Sequence, residues 1–164
     1  MVFAILSLIV TGALVVVDQL IKLVVTTQLQ PIGSVSVIPG LLNLTYTQNF
    51  GAAFSMLSGK TWFFIIATAV VSAALILGLF LYKKHNWLSY TACTMIVAGG
   101  VGNLIDRIFN PGHFVTDYIQ ISFFPAIFNF ADILVVVGTI LLILFVLFYM
   151  GRDKEKSEKH RHGA

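Results

Sequence analysis

Four apolar runs set the plan of this chain. They cover roughly residues 3–25, 62–82, 87–108 and 130–150, with polar, Gly- and Pro-containing stretches between them. The second run carries no charge from Trp62 to Tyr82. At about 1.5 Å of rise per helical residue, a run of that length crosses a hydrocarbon layer of about 30 Å. Trp62 and Tyr82 stand at its ends, where amphipathic aromatics meet the membrane surface. We read this helix as structural and assign it no chemistry. The first run is interrupted by Asp18 and Lys22, four residues apart and so on one helix face, where they can pair. Two readings of that pair stand open. One is an ion pair near the helix end, with Lys22 reaching to the interface; the other is support for a site. The run lacks a basic segment before it and a small-x-small cleavage site after it, so it reads as a span and not as a signal peptide.

Between the first two spans the pattern changes. Pro31, Gly33, Pro39 and Gly40 punctuate residues 26–61, and residues 35–38 and 42–47 alternate in part, which predicts short strands. This layer is too short to fold alone and is expected to lie on the bundle at the bilayer surface. Asn49, before Gly51, reads on its own as a turn residue. In the third span Gly99, Asn103, Asp106 and Arg107 share one helical face. Gly99, Gly100 and Gly102 permit close approach of another helix. Asn110-Pro111-Gly112 ends this span, and residues 113–119 read as a short extended segment carrying Asp117. Asn129 and Asp132 have the spacing of a helix N-cap and an acid at the third helical position, so span four starts there.

Composition confirms the class. The 164 residues are 58% hydrophobic and only 10% charged, where a soluble domain averages about 25%. The mean hydropathy is +0.93. We therefore expect a mainly α membrane protein: one four-span domain over residues 1–150, whose residues 26–61 form an extracytoplasmic layer, and a basic tail over 151–164. Arg152, Lys154, Lys156, Lys159 and Arg161 fall in that tail. A basic segment directly after an apolar helix marks the cytoplasmic side better than it marks nucleic-acid binding. Lys83 and Lys84 lie on the same side, so both termini are expected in the cytoplasm, and His85 reads as a solvated residue of that loop. The single cysteine, Cys93, allows no intrachain disulfide and reads as a small packing residue.

Asp18, Asp106, Asp117 and Asp132 are the only acids before the tail, and this topology puts all four at the outer ends of spans or in outer loops. Ionised groups at a membrane edge lose hydration, so such a gathering points to function. Two carboxyls held close share a proton and titrate as a unit; the ionised one can take a proton from water while the other polarises a carbonyl. No Ser/His or Cys/His set competes, and His113, a lone loop histidine, is not read as a proton carrier. A hard-cation site of carboxylates and asparagines is a second use of these groups. A proton- or ion-coupled transporter is a third, but it needs a polar path across the bilayer, and the inner halves of the spans offer almost no polar groups.

The motifs then carry a resemblance. Asp18-Gln19 with Lys22, Asn49-x-Gly51-Ala52-Ala53-Phe54, Gly102-Asn103-Leu104-Ile105-Asp106-Arg107, Val115-x-Asp117 and Phe128-Asn129-x-Ala131-Asp132 occur in order. Over about residues 10–150 the chain resembles the lipoprotein signal peptidase (signal peptidase II) family. The resemblance implies a membrane aspartic endopeptidase that cuts diacylglyceryl-modified prolipoproteins on the amino side of the lipidated cysteine. It implies Asp117 and Asp132 as the catalytic pair, a choice the physics of the three outer acids leaves open. It implies Asn49, Asn103, Arg107 and Asn129 as substrate-holding or site-ordering groups, and Asp18 and Asp106 as supporting ones. It further implies a small β-cradle and a surface helix over the site, no metal or other cofactor, contact with membrane lipids, and inhibition by globomycin-type cyclic peptides. Thr116 and Tyr118 depart from the aliphatic residue and Phe usual there.

Overall fold

The computed structural model describes residues 1–51 and 61–150. Helix α1 spans Val2–Val24 and runs on through a π-helical turn, Val25–Leu29. The first span is thus longer than its apolar run. The Thr26 and Thr27 hydroxyls donate to the Lys22 and Leu23 carbonyls at 2.8 and 2.9 Å, and Val25 and Leu29 bury against Tyr118, so the helix gains packing by continuing. Helix α2 covers Thr61–Leu81, α3 Trp87–Phe109 and α4 Phe130–Phe145, the last extended by a π-helical turn to Met150. All four are long and apolar enough to cross a membrane.

Helix α3 is the centre of the bundle and packs against each of the other three. It is also the least apolar span, because its buried faces carry the polar groups of the site. Gly99 makes this packing close: a Cβ there would run into the Ala131 carbonyl of α4. The outer faces of α1, α2 and α4 expose Ile9, Leu20, Val70, Ile140 and Leu147. In water such faces would drive association; against lipid tails they carry no penalty. The start of α3 is fixed by Asn86 and Ser89, which exchange 3.0 Å bonds between side chain and backbone. His85 is not the solvated residue expected. It is half-buried, donates from Nε2 to the Gly78 carbonyl at 2.9 Å, and packs on Tyr82 and Tyr90, so it ties the end of α2 to the start of α3.

At the other end of the bundle lies a four-stranded antiparallel sheet. Its strands are β1 (Ser34–Ile38), β2 (Leu42–Asn49), β3 (Val115–Ile121) and β4 (Ile127–Phe128), hydrogen-bonded in that order. Gly40, at φ 74°, turns the β1–β2 hairpin. The register pairs Thr47 with Asp117 and Ile119 with Phe128, so β3 lies between the strand that ends at Asn49 and the one that leads into Asn129. Val25, Leu29, Tyr118, Leu44 and Tyr46 join the sheet to the last turns of the first span. Strands β1 to β3 match the extended segments read from the sequence, and the sheet they form is the small β-cradle that the resemblance implied; β4, two residues long, left no periodicity to read. The surface helix expected between the sheet and α2 lies outside the described residues.

Candidate active site

The capping residues of α4 build the site. Asn129 Oδ1 accepts from the Asp132 amide at 2.9 Å, and Asp132 Oδ2 accepts from the Asn129 amide at 3.1 Å. This reciprocal box satisfies helix-end donors. It also occupies one carboxylate oxygen and turns the other, Oδ1, toward Asn103 Nδ2 of α3 at 2.7 Å. Asn129 is fully buried, and its free amide nitrogen donates to Asp117 Oδ1 at 2.6 Å and to Asn103 Oδ1 at 3.2 Å. Asn49, at the end of β2, donates to Asp117 Oδ2 at 2.9 Å while its own oxygen accepts from the Gly51 amide. The turn role read from the sequence is therefore present, with a second role beside it.

The result is a pair of carboxyls from a strand and a helix, tied through Asn103 and Asn129. Asp117 is 1% exposed. Its burial, and then the charge of Asp132, push its pKa up to about 7 against the hydrogen bonds from Asn49 and Asn129. A carboxyl so displaced holds its proton near neutrality, as a general acid must. Next to it Tyr118 is raised to about 12, chiefly by burial. Its hydroxyl accepts from the Phe130 amide at 3.2 Å, which fixes the first turn of α4 to β3. This anchor uses the hydroxyl that distinguishes Tyr118 from Phe.

Beneath the pair lies a charged cluster. Lys22 is 4% exposed and does not reach to the interface. Its ammonium bonds Asp18 Oδ2 at 2.9 Å, Asp106 Oδ2 at 3.0 Å and Asn103 Oδ1 at 3.0 Å. Gln19 Nε2 lies 3.1 Å from Asp18 Oδ2, Asp106 Oδ1 and the Gly102 carbonyl. Gly102 leaves the room: a Cβ there would sit 2.5 Å from Asp18 Oδ2. Asp106 Oδ2 also accepts from the Thr116 amide at 3.0 Å, next to Asp117 in the chain. All four acids are thus brought together, and so are Asn49, Asn103 and Asn129. Lys22 and Gln19 were not singled out as site groups. Their signal was the i, i+4 pairing of Asp18 and Lys22 inside an apolar helix, which on its own also fits a structural pair. Among the described residues no group of three or more His, Cys, Asp or Glu is disposed to share a metal ion.

Arg107 closes the site from the side. It donates to the Gly51 carbonyl at 2.9 Å and to the Asn103 carbonyl at 3.2 Å, and its guanidinium lies 5.2 Å from the Phe64 ring centroid. His113 donates from Nδ1 to the Arg107 carbonyl at 2.7 Å, a structural bond that holds the loop after α3. Phe64 and Thr68 of α2, Val135 and Val136 of α4, and Phe124 and Phe128 line an apolar groove of about 550 Å³ that ends at Asn103, Arg107 and Asp132. Helix α2 was assigned no chemistry, yet it supplies one wall of this groove. Its uniform hydrophobicity hid which face does so.

Residues 10–148 match the family model described as signal peptidase (SPase) II. The chain belongs to the signal peptidase II family. A lipoprotein signal peptidase of Caldanaerobacter subterraneus subsp. tengcongensis is 42% identical over 146 residues, which cover 89% of this chain and 99% of that one. The lipoprotein signal peptidase of Lactococcus lactis subsp. lactis is 43% identical over 155 residues, 92% of this chain and 96% of the relative. Two solved bacterial membrane enzymes, determined by the in meso method at 2.3 and 1.9 Å, superpose with TM-scores of 0.77 and 0.75 at 36% identity; they cover 86% and 87% of this chain and 87% and 93% of their own. Signal peptidase II membership and this fold make the chain a bacterial membrane protease.

Proposed function

We propose that this signal peptidase II removes the signal peptide from prolipoproteins as an aspartic endopeptidase, with Asp117 and Asp132 as its catalytic pair. The observation that carries this reading is the joining of buried Asp117 to half-buried Asp132 through Asn129 and Asn103, with Asp132 at the polar end of the apolar groove. Asp132 accepts bonds from Asn103 and from the Asn129 backbone at a helix N-terminus, an arrangement suited to the ionised member. Asp117, raised to about 7, is suited to the protonated one.

The chemistry follows from those states. Water attacks the scissile carbonyl and gives a proton to Asp132, while the Asp117 proton passes to the carbonyl oxygen. The tetrahedral diol then collapses. The C–N bond breaks, the leaving amine takes the proton from Asp132, and Asp117 recovers its own from the diol hydroxyl. Substrate specificity has an equally physical basis. A signal peptide is an apolar helix and a diacylglyceryl group stays in the bilayer, so both suit the groove beside the pair. Arg107 and Asn49 frame its polar end and suit main-chain carbonyls. A globomycin-type cyclic peptide would compete for the same space.

We place the sheet and the pair on the outer side of the membrane and both termini inside. The basis is the positive-inside rule applied to Lys83, Lys84 and the five Lys/Arg of residues 151–164. A transporter is less suited. Among the described residues the charges within the spans, Asp18, Lys22, Asp106, Arg107 and Asp132, gather at one end and form no path across. The test is cleavage, in detergent, of a synthetic prolipoprotein with and without diacylglyceryl cysteine, with the cut located by mass spectrometry. Cleavage of the lipidated peptide alone, directly before its cysteine, is expected. Equal cleavage of both peptides would remove lipid recognition, and no cleavage by folded protein would remove the reading itself.

A further inference from the structure

A primary amide has nearly the same shape in its two flipped orientations, so packing alone does not tell Asn103 which end to point at Asp132. Its surroundings do. Asn103 Oδ1 accepts from Lys22 Nζ at 3.0 Å and from Asn129 Nδ2 at 3.2 Å, and this sends Nδ2 to Asp132 Oδ1 at 2.7 Å. The flipped amide would set its NH2 against an ammonium and its oxygen against a carboxylate. The ammonium is itself fully engaged. Its three N–H donors match three acceptors, Asp18 Oδ2, Asp106 Oδ2 and Asn103 Oδ1. A buried ion pair is a poor source of stability, because desolvation offsets its attraction. Its retention beneath a reactive carboxyl calls for another use.

We propose that Lys22 is a positioning residue: anchored on Asp18 and Asp106, it fixes the Asn103 amide with its nitrogen toward Asp132. This rests on the assignment of Asp132 as the ionised member of the pair. Other charged and titratable groups share the electrostatics of this site: Arg107 from α3 and Asp117 and Tyr118 from β3 interact with Asp132, while Asp18 and Asp106 pair with Lys22 itself. None of these bonds the Asn103 side-chain oxygen, so Lys22 acts by orientation as well as by charge.

The experiment measures kcat, KM and the pH profile of kcat on the lipidated peptide. It compares wild type, Lys22→Met and the charge-balanced Lys22→Met/Asp18→Asn, each checked for a folded, monodisperse helix bundle. Loss of one hydrogen bond to an ionised carboxyl moves the acid limb of the profile up by about one pH unit or more and lowers kcat about tenfold, with KM unchanged. The double variant shows the same shift if the single variant fails to fold. A lowered kcat with an unmoved acid limb, as a merely structural loss gives, overturns the proposal; so does an unchanged kcat. A second readout uses folded wild type and no turnover: the side-chain amide of Asn103, in asparagine-15N-labelled protein and assigned through Asn103→Asp. Protected amide protons that respond to Asp132→Asn support the orientation, and a rapidly exchanging amide that ignores Asp132 overturns it. Failure of wild type to cleave contradicts the proposed reaction, while the amide signal still decides the orientation.

Discussion

Asp117→Asn is expected to make the protein more stable at alkaline pH while destroying its activity. The carboxyl has an ordinary value of 3.8, and burial beside Asp132 lifts it to about 7. Between those two values the folded protein binds a proton that the unfolded chain has released. Stability is therefore fully present below about 4 and falls as pH rises to about 7. The complete shift corresponds to about 4 kcal/mol, and the part between pH 5 and 8 to about 2–3 kcal/mol. An asparagine does not ionise and escapes this loss. It carries its own penalty, since its NH2 must oppose the amide donor of Asn49 or of Asn129, for about 1–3 kcal/mol at any pH. Comparing two pH values cancels that constant. The assay is thermal unfolding in detergent, followed by the fluorescence of Trp62 and Trp87. From pH 5 to pH 8 the variant should gain about 5–10 °C on the wild type. Parallel curves for the two proteins across that range would refute the reasoning, because they would mean that Asp117 is not held protonated by its surroundings.

Other expectations follow from the same network. Asn49→Ala removes a bond that lowers the Asp117 pKa, so the alkaline limb of the kcat profile, near pH 7 in the wild type, should move up by about one unit. Asn129→Ala loses the cap of α4 and the bond to Asp117; a loss of about 3 kcal/mol in stability, read by denaturation, and undetectable turnover are expected. Gly99→Ala drives a methyl into the Ala131 carbonyl, and the α3–α4 contact should weaken by about 1–3 kcal/mol in the same assay.

Most of the fold was legible because it repeats one signal. A run of about 20 apolar residues has few uses outside a membrane, and four such runs leave one common architecture. The N-cap at Asn129 and the glycine face of α3 were readable from spacing. The limits of the reading have physical causes. The first span outruns its apolar stretch because Thr26 and Thr27 satisfy their hydroxyls inside the helix. Strand β4 is too short for a period. The groove wall on α2 was hidden because every face of that helix is apolar. At the site, four acids at one level could be read from topology, and the proposal of Asp117 and Asp132 as the pair rests on family likeness. What no one-dimensional pattern carries is the wiring. Asn103 and Asn129 lie 26 positions apart, and Lys22 and Asn103 lie 81 apart. His85 looks like an ordinary loop residue until the structure half-buries it, and the sequence leaves Lys22 open between an interfacial ion pair and a site support until the structure buries it.

The central claim is that Asp117 and Asp132 together activate water. Its most direct test is single-turnover cleavage of the diacylglyceryl peptide by wild type, Asp117→Asn and Asp132→Asn, all shown to be folded and to bind the peptide. Each carboxyl serves as acid or base, a contribution of about 10²–10⁴ in rate, so both variants should fall by at least about a hundredfold while retaining binding. Cleavage near the wild-type rate by either folded variant would contradict the account.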